Sequence, residues 1–126
     1  MNARALDWNI EQTGGGCTAL VRPLPCKWEA LVTDDSGGYA PDQDDDNLLV
    51  GVRNDKGNDV FCVDVENLPH AEAVVRAVEY LLSCEDDPRV LAWQLPAELE
   101  SDFLDALNVG AIVIDDDDCY AINAAN

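Results

Sequence analysis

The chain has 126 residues, 48% of them hydrophobic, and sets 26 Asp and Glu against 7 Lys and Arg, for a formal charge of -19 and a pI near 4.1. That length and apolar content fit a single domain, 1–126, which can bury a core without metals or disulfides. The charge argues against direct contact with a phosphate backbone or an anionic membrane, both of which rely on Lys and Arg, and favours basic surfaces, which a negative field steers inward at low salt.

Strand signals fill the first half. In "ALDWNIEQ", Leu6, Trp8 and Ile10 alternate with Asp7, Asn9 and Glu11, the period of two shown by a half-buried strand. "TGGG" supplies a turn before the strand "CTALVRPL", which Pro23 and Pro25 end because proline cannot donate to a ladder. "KWEALVT" reads as a third strand. The segment 34–47, "DDSGGYAPDQDDDN", has six aspartates, two glycines and a proline, the composition of an exposed acidic loop. "LLVGVR" and "DVFCVDV" then flank "NDKGN", a hairpin loop in which Gly57 takes the left-handed conformation.

The period changes in the second half. Ala71, Val74, Val75, Val78, Leu81 and Leu82 recur at three and four, which predicts a helix with Asn67 as N-cap and Pro69 in its first turn. Glu72, Arg76 and Glu79 are expected on its exposed side. A short strand, "RVLAWQL", precedes a second helix from about Pro96 to Leu107, with Leu99, Phe103, Leu104 and Leu107 inward and Gly110 at its end. Glu98, Asp102 and Asp105 form a stripe on this helix that has no basic partner in the sequence pattern, and Glu100 adds to the same acidic surface. The last apolar run, "AIVI", stops at Asp115, Asp116, Asp117 and Asp118 and resumes with "CYAI", so the aspartates are expected at a solvent-facing hairpin tip.

The expected architecture is α+β. An N-terminal meander of about five mostly antiparallel strands over 1–66 carries the acidic loop 34–47. Two helices pack on one face, and one or two further strands close the helix–strand–helix–hairpin segment 67–126.

Motifs for catalysis are weak. "DQDDDN" places Asp42, Asp44 and Asp46 at the first, third and fifth positions of an EF-hand loop, but Asn47 and Arg53 stand where the template needs Gly and Glu. Asp115 and Asp117 after an apolar strand superficially resemble the first motif of haloacid-dehalogenase-type phosphotransferases, which continues with Thr or Val where this chain has Cys119. His70, the sole histidine, sits near a helix start and suits a capping or surface role. Cys17, Cys26, Cys62, Cys84 and Cys119 form no CxxC pair and read as reduced core thiols of a cytosolic protein. Trp8, Trp28 and Trp93 read as core anchors on strands, with Trp28 the most exposed. The N-terminus lacks a signal-peptide pattern and no apolar stretch approaches a membrane span, so a cytoplasmic, soluble protein without cofactor or metal is expected.

Acids two apart on a strand lie ~6.6 Å apart and acids four apart on a helix about 5–6 Å, near the repeat of phosphates along a nucleic acid. In charge and size alone, the chain resembles the small DNA-mimic inhibitors made by phages and mobile elements. The expectation is a non-enzymatic protein that binds the basic surface of another protein, of the kind that handles nucleic acid. Its binding residues would be Asp42, Asp44, Asp45, Asp46, Glu98, Glu100, Asp102, Asp105, Asp115, Asp116, Asp117 and Asp118. The alternative is a general interaction or assembly module whose acidity serves only solvation, as in halophiles.

Overall fold

The computed structural model describes residues 8–35, 38–41, 46–83 and 89–123. Strands β1 (Asn9–Gly14), β2 (Cys17–Pro23), β3 (Glu29–Thr33), β4 (Leu48–Arg53) and β5 (Asp59–Val65) form an antiparallel meander in which each strand pairs with the next. Helix α1 (Leu68–Leu82) follows, then β6 (Arg89–Leu91), α2 (Glu100–Val109), β7 (Ile112–Ile114) and β8 (Cys119–Ile122). The last three strands make a second antiparallel sheet in the order β6-β8-β7. The fold is α+β, as the alternation of periods predicts. No helix among the described residues is long and apolar enough to cross a membrane.

Local chemistry accounts for the turns. Gly14 pairs with Cys17 across Gly15 and Gly16, whose φ values of 60° and 83° suit a two-residue hairpin turn with the twist of its strands. α1 starts where Asn67 accepts the backbone N–H of His70 on its side chain (3.0 Å), and Pro69 lies in the first turn, where its missing N–H is not needed. α2 stops at Gly110, at φ 83°, with Ala111 donating back to the Ala106 carbonyl. The acidic loop is anchored in part: Thr18 donates its N–H to the Gly38 carbonyl (2.9 Å) and accepts that of Ala40 on its hydroxyl (3.0 Å).

One cluster of buried side chains runs through both sheets and both helices. All six residues of the expected α1 face are buried and belong to the same cluster as Leu48, Val50 and Val52 of β4 from the main sheet. Full burial of a Val or Leu contributes about 1.5–3 kcal/mol, so this face seats the helix. Phe103 of α2 is fully buried and makes edge-on contacts with Tyr80 of α1 (centroids 6.1 Å apart) and Tyr120 of β8 (5.0 Å). That aromatic cluster joins the helices to the small sheet.

Several expectations are corrected. Ile10 shares a face with buried Leu20 but is 70% exposed, because β1 is the edge strand and pairs on one side only. Trp93, expected in the core, is 73% exposed and is the most exposed described tryptophan in place of Trp28. The strand expected over "RVLAWQL" ends at Leu91 because its partner β8 begins at Cys119: Ala92 donates to the Asp118 carbonyl (3.3 Å), and a 3₁₀ turn over Ala92–Gln94 carries Trp93 outward. Leu104 is exposed rather than inward, since α2 turns Phe103 and Ala106 to the core, leaving Leu104 on the opposite side with Glu100. Of the expected core thiols among the described residues, only Cys119 is buried. Cys17 is half-buried, Cys26 and Cys62 are exposed, and Cys84 lies outside the described residues.

Candidate functional site

Glu72, Arg76 and Glu79 do not face solvent as expected. They form a polar seam that ties α1 to three other parts of the fold. Glu72 is 5% exposed and accepts the Trp8 indole N–H (3.0 Å). Arg76 meets Asp102 of α2 through Nε–Oδ2 and Nη2–Oδ1, each 3.3 Å. Glu79 receives Arg22 of β2 through Nε (3.0 Å) and a second guanidinium nitrogen (3.3 Å). A helix surface with spacing four and three reads as exposed only if nothing lies over it, and here the N-terminal segment, α2 and β2 all supply partners.

Asp102 is therefore removed from the expected acidic stripe. It is 2% exposed and held in a two-pronged ion pair with Arg76. Asp105, half-buried, stays beside it on the α1 side of α2, while Glu98 and Glu100 are exposed at the start of that helix. Asp102 lies between them in sequence and is turned inward, so the helix presents no unbroken row of carboxylates to solvent.

The last hairpin has a defined loop. Asp115 accepts the N–H groups of Asp117 (2.9 Å) and Cys119 (3.0 Å) on Oδ1, and Asp118 donates its N–H to the Asp115 carbonyl (3.1 Å) at φ 60°. Asn54, Gly57 and Asn58 repeat the arrangement in the β4–β5 hairpin. There, Asn54 Oδ1 accepts from Lys56 and Asn58, each at 3.0 Å, and Gly57, at φ 79°, donates to the Asn54 carbonyl (3.0 Å). Both are a turn followed by one left-handed residue, the usual three-residue hairpin with a bulge. Asp118 fills the position that Gly57 fills in the other hairpin, a conformation that Asp tolerates better than most side chains.

The four aspartates thus divide. Asp115 organises the loop, and Arg89 of β6 binds its Oδ2 (2.9 Å) and that of Asp117 (3.4 Å). The Arg89 guanidinium, followed by the Cys119 N–H, holds the Asp115 carboxyl below its ordinary range. The carboxylates of Asp116 and Asp118 are exposed and take no ion pair among the described residues. Asp46 is exposed, and Asp42, Asp44 and Asp45 lie outside the described residues.

A cleft of about 710 Å³ opens where the end of β5, the start of α1 and the flank of α2 meet. Asp64, Glu66, Asp105 and Asn108 line it, with the Arg76–Asp102 pair in its wall. His70 borders it as a cap: its Nδ1 accepts the Glu66 N–H (3.1 Å), so the residue holds the chain entering the helix, much as the third helical residue does in a capping box. Compared with family models, curated proteins and solved structures, the chain matches none. The site is therefore described by its own chemistry, an acid-lined cleft between β5, α1 and α2 and an acidic tip between β7 and β8. Sequence reasoning missed Asp64 and Glu66 as cleft residues. Their signal was present, since they precede the N-cap Asn67, but only the packing of α2 makes a wall opposite them.

Proposed function

We propose that this protein is a non-enzymatic binding module that docks on a basic surface of another protein. The supporting observation is how its few cations are used. Arg22 pairs with Glu79, Arg53 with Asp59 and Glu29, Arg76 with Asp102, and Arg89 with Asp115 and Asp117. Every described arginine is engaged by acids of its own fold, which leaves Lys27 and Lys56 as the described cations outside such pairs. Acids such as Asp116, Asp118 and Glu100 remain available to a partner's Lys and Arg.

A basic nucleic-acid-binding surface is the partner that this charge fits best, with the tip Asp115 to Asp118, Glu98, Glu100 and Asp46 as contact acids. The buried Asp102 is not among them. A mimic of this kind should lose affinity steeply with salt, because exposed charges are screened beyond about 10 Å at 0.1 M. Nucleic acid should also compete for the same partner. The test is retention of cytosolic proteins on the immobilised chain at low and moderate salt, with and without duplex DNA. Retention of basic proteins, released by both salt and DNA, is expected; capture indifferent to both overturns the proposal.

The second reading, an assembly module whose acidity is only solvation, is favoured by Trp93 at 73% and Leu104 at 58% exposure. It predicts that Trp93→Ala or Leu104→Ala weakens partner binding while neutralising Asp116 does not.

A further inference from the structure

β7 is an edge strand with unusual exposure on both faces. It pairs with β8 alone, and its successive residues Val113 and Ile114 are 39% and 52% exposed although they point to opposite sides of the sheet. The register fixes which main-chain groups are spare. Asp115 donates its N–H to the Cys119 carbonyl (2.9 Å), and Asn123 donates to the Ala111 carbonyl (3.0 Å). In an antiparallel ladder, hydrogen-bonded and non-bonded pairs alternate. Asp115 and Val113 therefore turn their amides toward β8, as Ala111 turns its carbonyl, while Ile114 and Ile112 turn their amides to the free edge. Ile112 is buried at 1%, so Ile114 is the exposed member of that edge.

An open edge of this kind is a template for another strand. The occupant is constrained by charge. A second copy would set two chains of -19 side by side, with Asp116 and Asp118 beside each strand, and such like-charge contact opposes self-pairing. A cationic strand meets the reverse situation, with aliphatic side chains along the edge and carboxylates that take no ion pair at its end.

We propose that β7 takes up an extended basic segment of a partner protein as a fourth strand of the small sheet, hydrogen-bonded to Ile114. This rests on the reading that the protein binds basic surfaces and names the place and the mode. Alternation of Lys or Arg with aliphatic residues is the segment chemistry that suits the site: aliphatic side chains lie over Val113 or Ile114, and cations reach the aspartate tip.

The test uses the full chain, a peptide of alternating Lys and Val, and a peptide of alternating Lys and Pro with the same charge, at low salt. Proline cannot donate to a ladder, so the Lys–Val peptide should bind about tenfold more tightly, the equivalent of one or two main-chain hydrogen bonds. Amide exchange at Ile114 should be fast in the free protein and should slow on binding, while that of Val113, which the register turns to β8, should change little. Ile10→Ala should leave the peptide affinity unchanged, since Ile10 is exposed on β1 of the other sheet. Equal binding of the two peptides with no protection at Ile114 overturns the strand-addition proposal but leaves binding of basic surfaces standing. Failure of both peptides to bind overturns both.

Discussion

Arg76 on α1 and Asp102 on α2 face each other across the helix pair through two hydrogen bonds of 3.3 Å, with 17% and 2% of their side chains exposed. In sequence, Asp102 belongs to an acidic stripe and Arg76 to a mixed surface. In the fold, each accounts for the other: a carboxylate so far from water is tolerated because a guanidinium meets both its oxygens.

Arg76→Ala leaves Asp102 buried without its cation and should cost about 3–5 kcal/mol. Asp102→Ala should cost less, because Arg76 retains some access to water. The double variant Arg76→Met, Asp102→Leu should recover most of the loss, since well-packed apolar pairs often replace buried ion pairs without penalty. Urea denaturation of the four proteins checks this. Additive losses in the double variant would show that the two residues act independently.

Asp118 sits at φ 60° where Gly57 sits in the matching hairpin. Asp118→Gly should stabilise the protein by about 0.5–1 kcal/mol, because glycine takes the left-handed conformation without steric cost. The reverse change, Gly57→Asp, should destabilise it. Melting temperatures that move the other way would refute the equivalence of the two loops.

The Asp115 carboxyl is held below its ordinary value by Arg89 and then by the Cys119 N–H. Its contribution is therefore present above the unfolded value, near ~3.9, and is lost as pH falls through the lower folded value. Asp115→Asn keeps an oxygen for both backbone N–H groups, as Asn54 does in the other hairpin, and removes the charge facing Arg89. Its stability should fall less than that of the parent as the solution is acidified below pH ~4, and Asp115→Ala should be the least stable of the three at neutral pH. Identical acid limbs for parent and Asn variant would contradict the role of the charge.

Cys62 lies on the exposed side of β5, where partial burial of its sulfur, then Asp64 and Asp59, push its thiol above the usual range. Thiolate is the reactive form, so alkylation of Cys62 near pH 8 should be slower than that of a cysteine in an unfolded peptide. Asp64→Asn should speed it. Mass spectrometry after timed alkylation reads both rates, and a Cys62 that reacts as fast as the peptide would contradict this electrostatic setting.

Much of the fold was legible because the determining physics is local. Gly15 and Gly16, Asn67 before Pro69, Gly57 and Gly110 each mark a turn or cap by the backbone conformation or hydrogen bond they supply. The candidate site was legible only in part. The tip at Asp115 to Asp118 follows from turn chemistry, whereas the cleft needs α2 to face Asp64 and Glu66, a relation that no spacing along the chain encodes.

By itself, the sequence determined the alternation of strands and helices, the apolar face of α1 and the excess of acid, since periodicity, turn residues and charge count are properties of neighbours in the chain. Tertiary structure decided which charges remain outside. Glu72, Glu79 and Asp102 look like Asp116 or Glu100 in a one-dimensional pattern, yet Trp8, Arg22 and Arg76 draw them inward. Burial of a charged side chain depends on whether a partner from a distant segment reaches it, and that is set by how the elements pack.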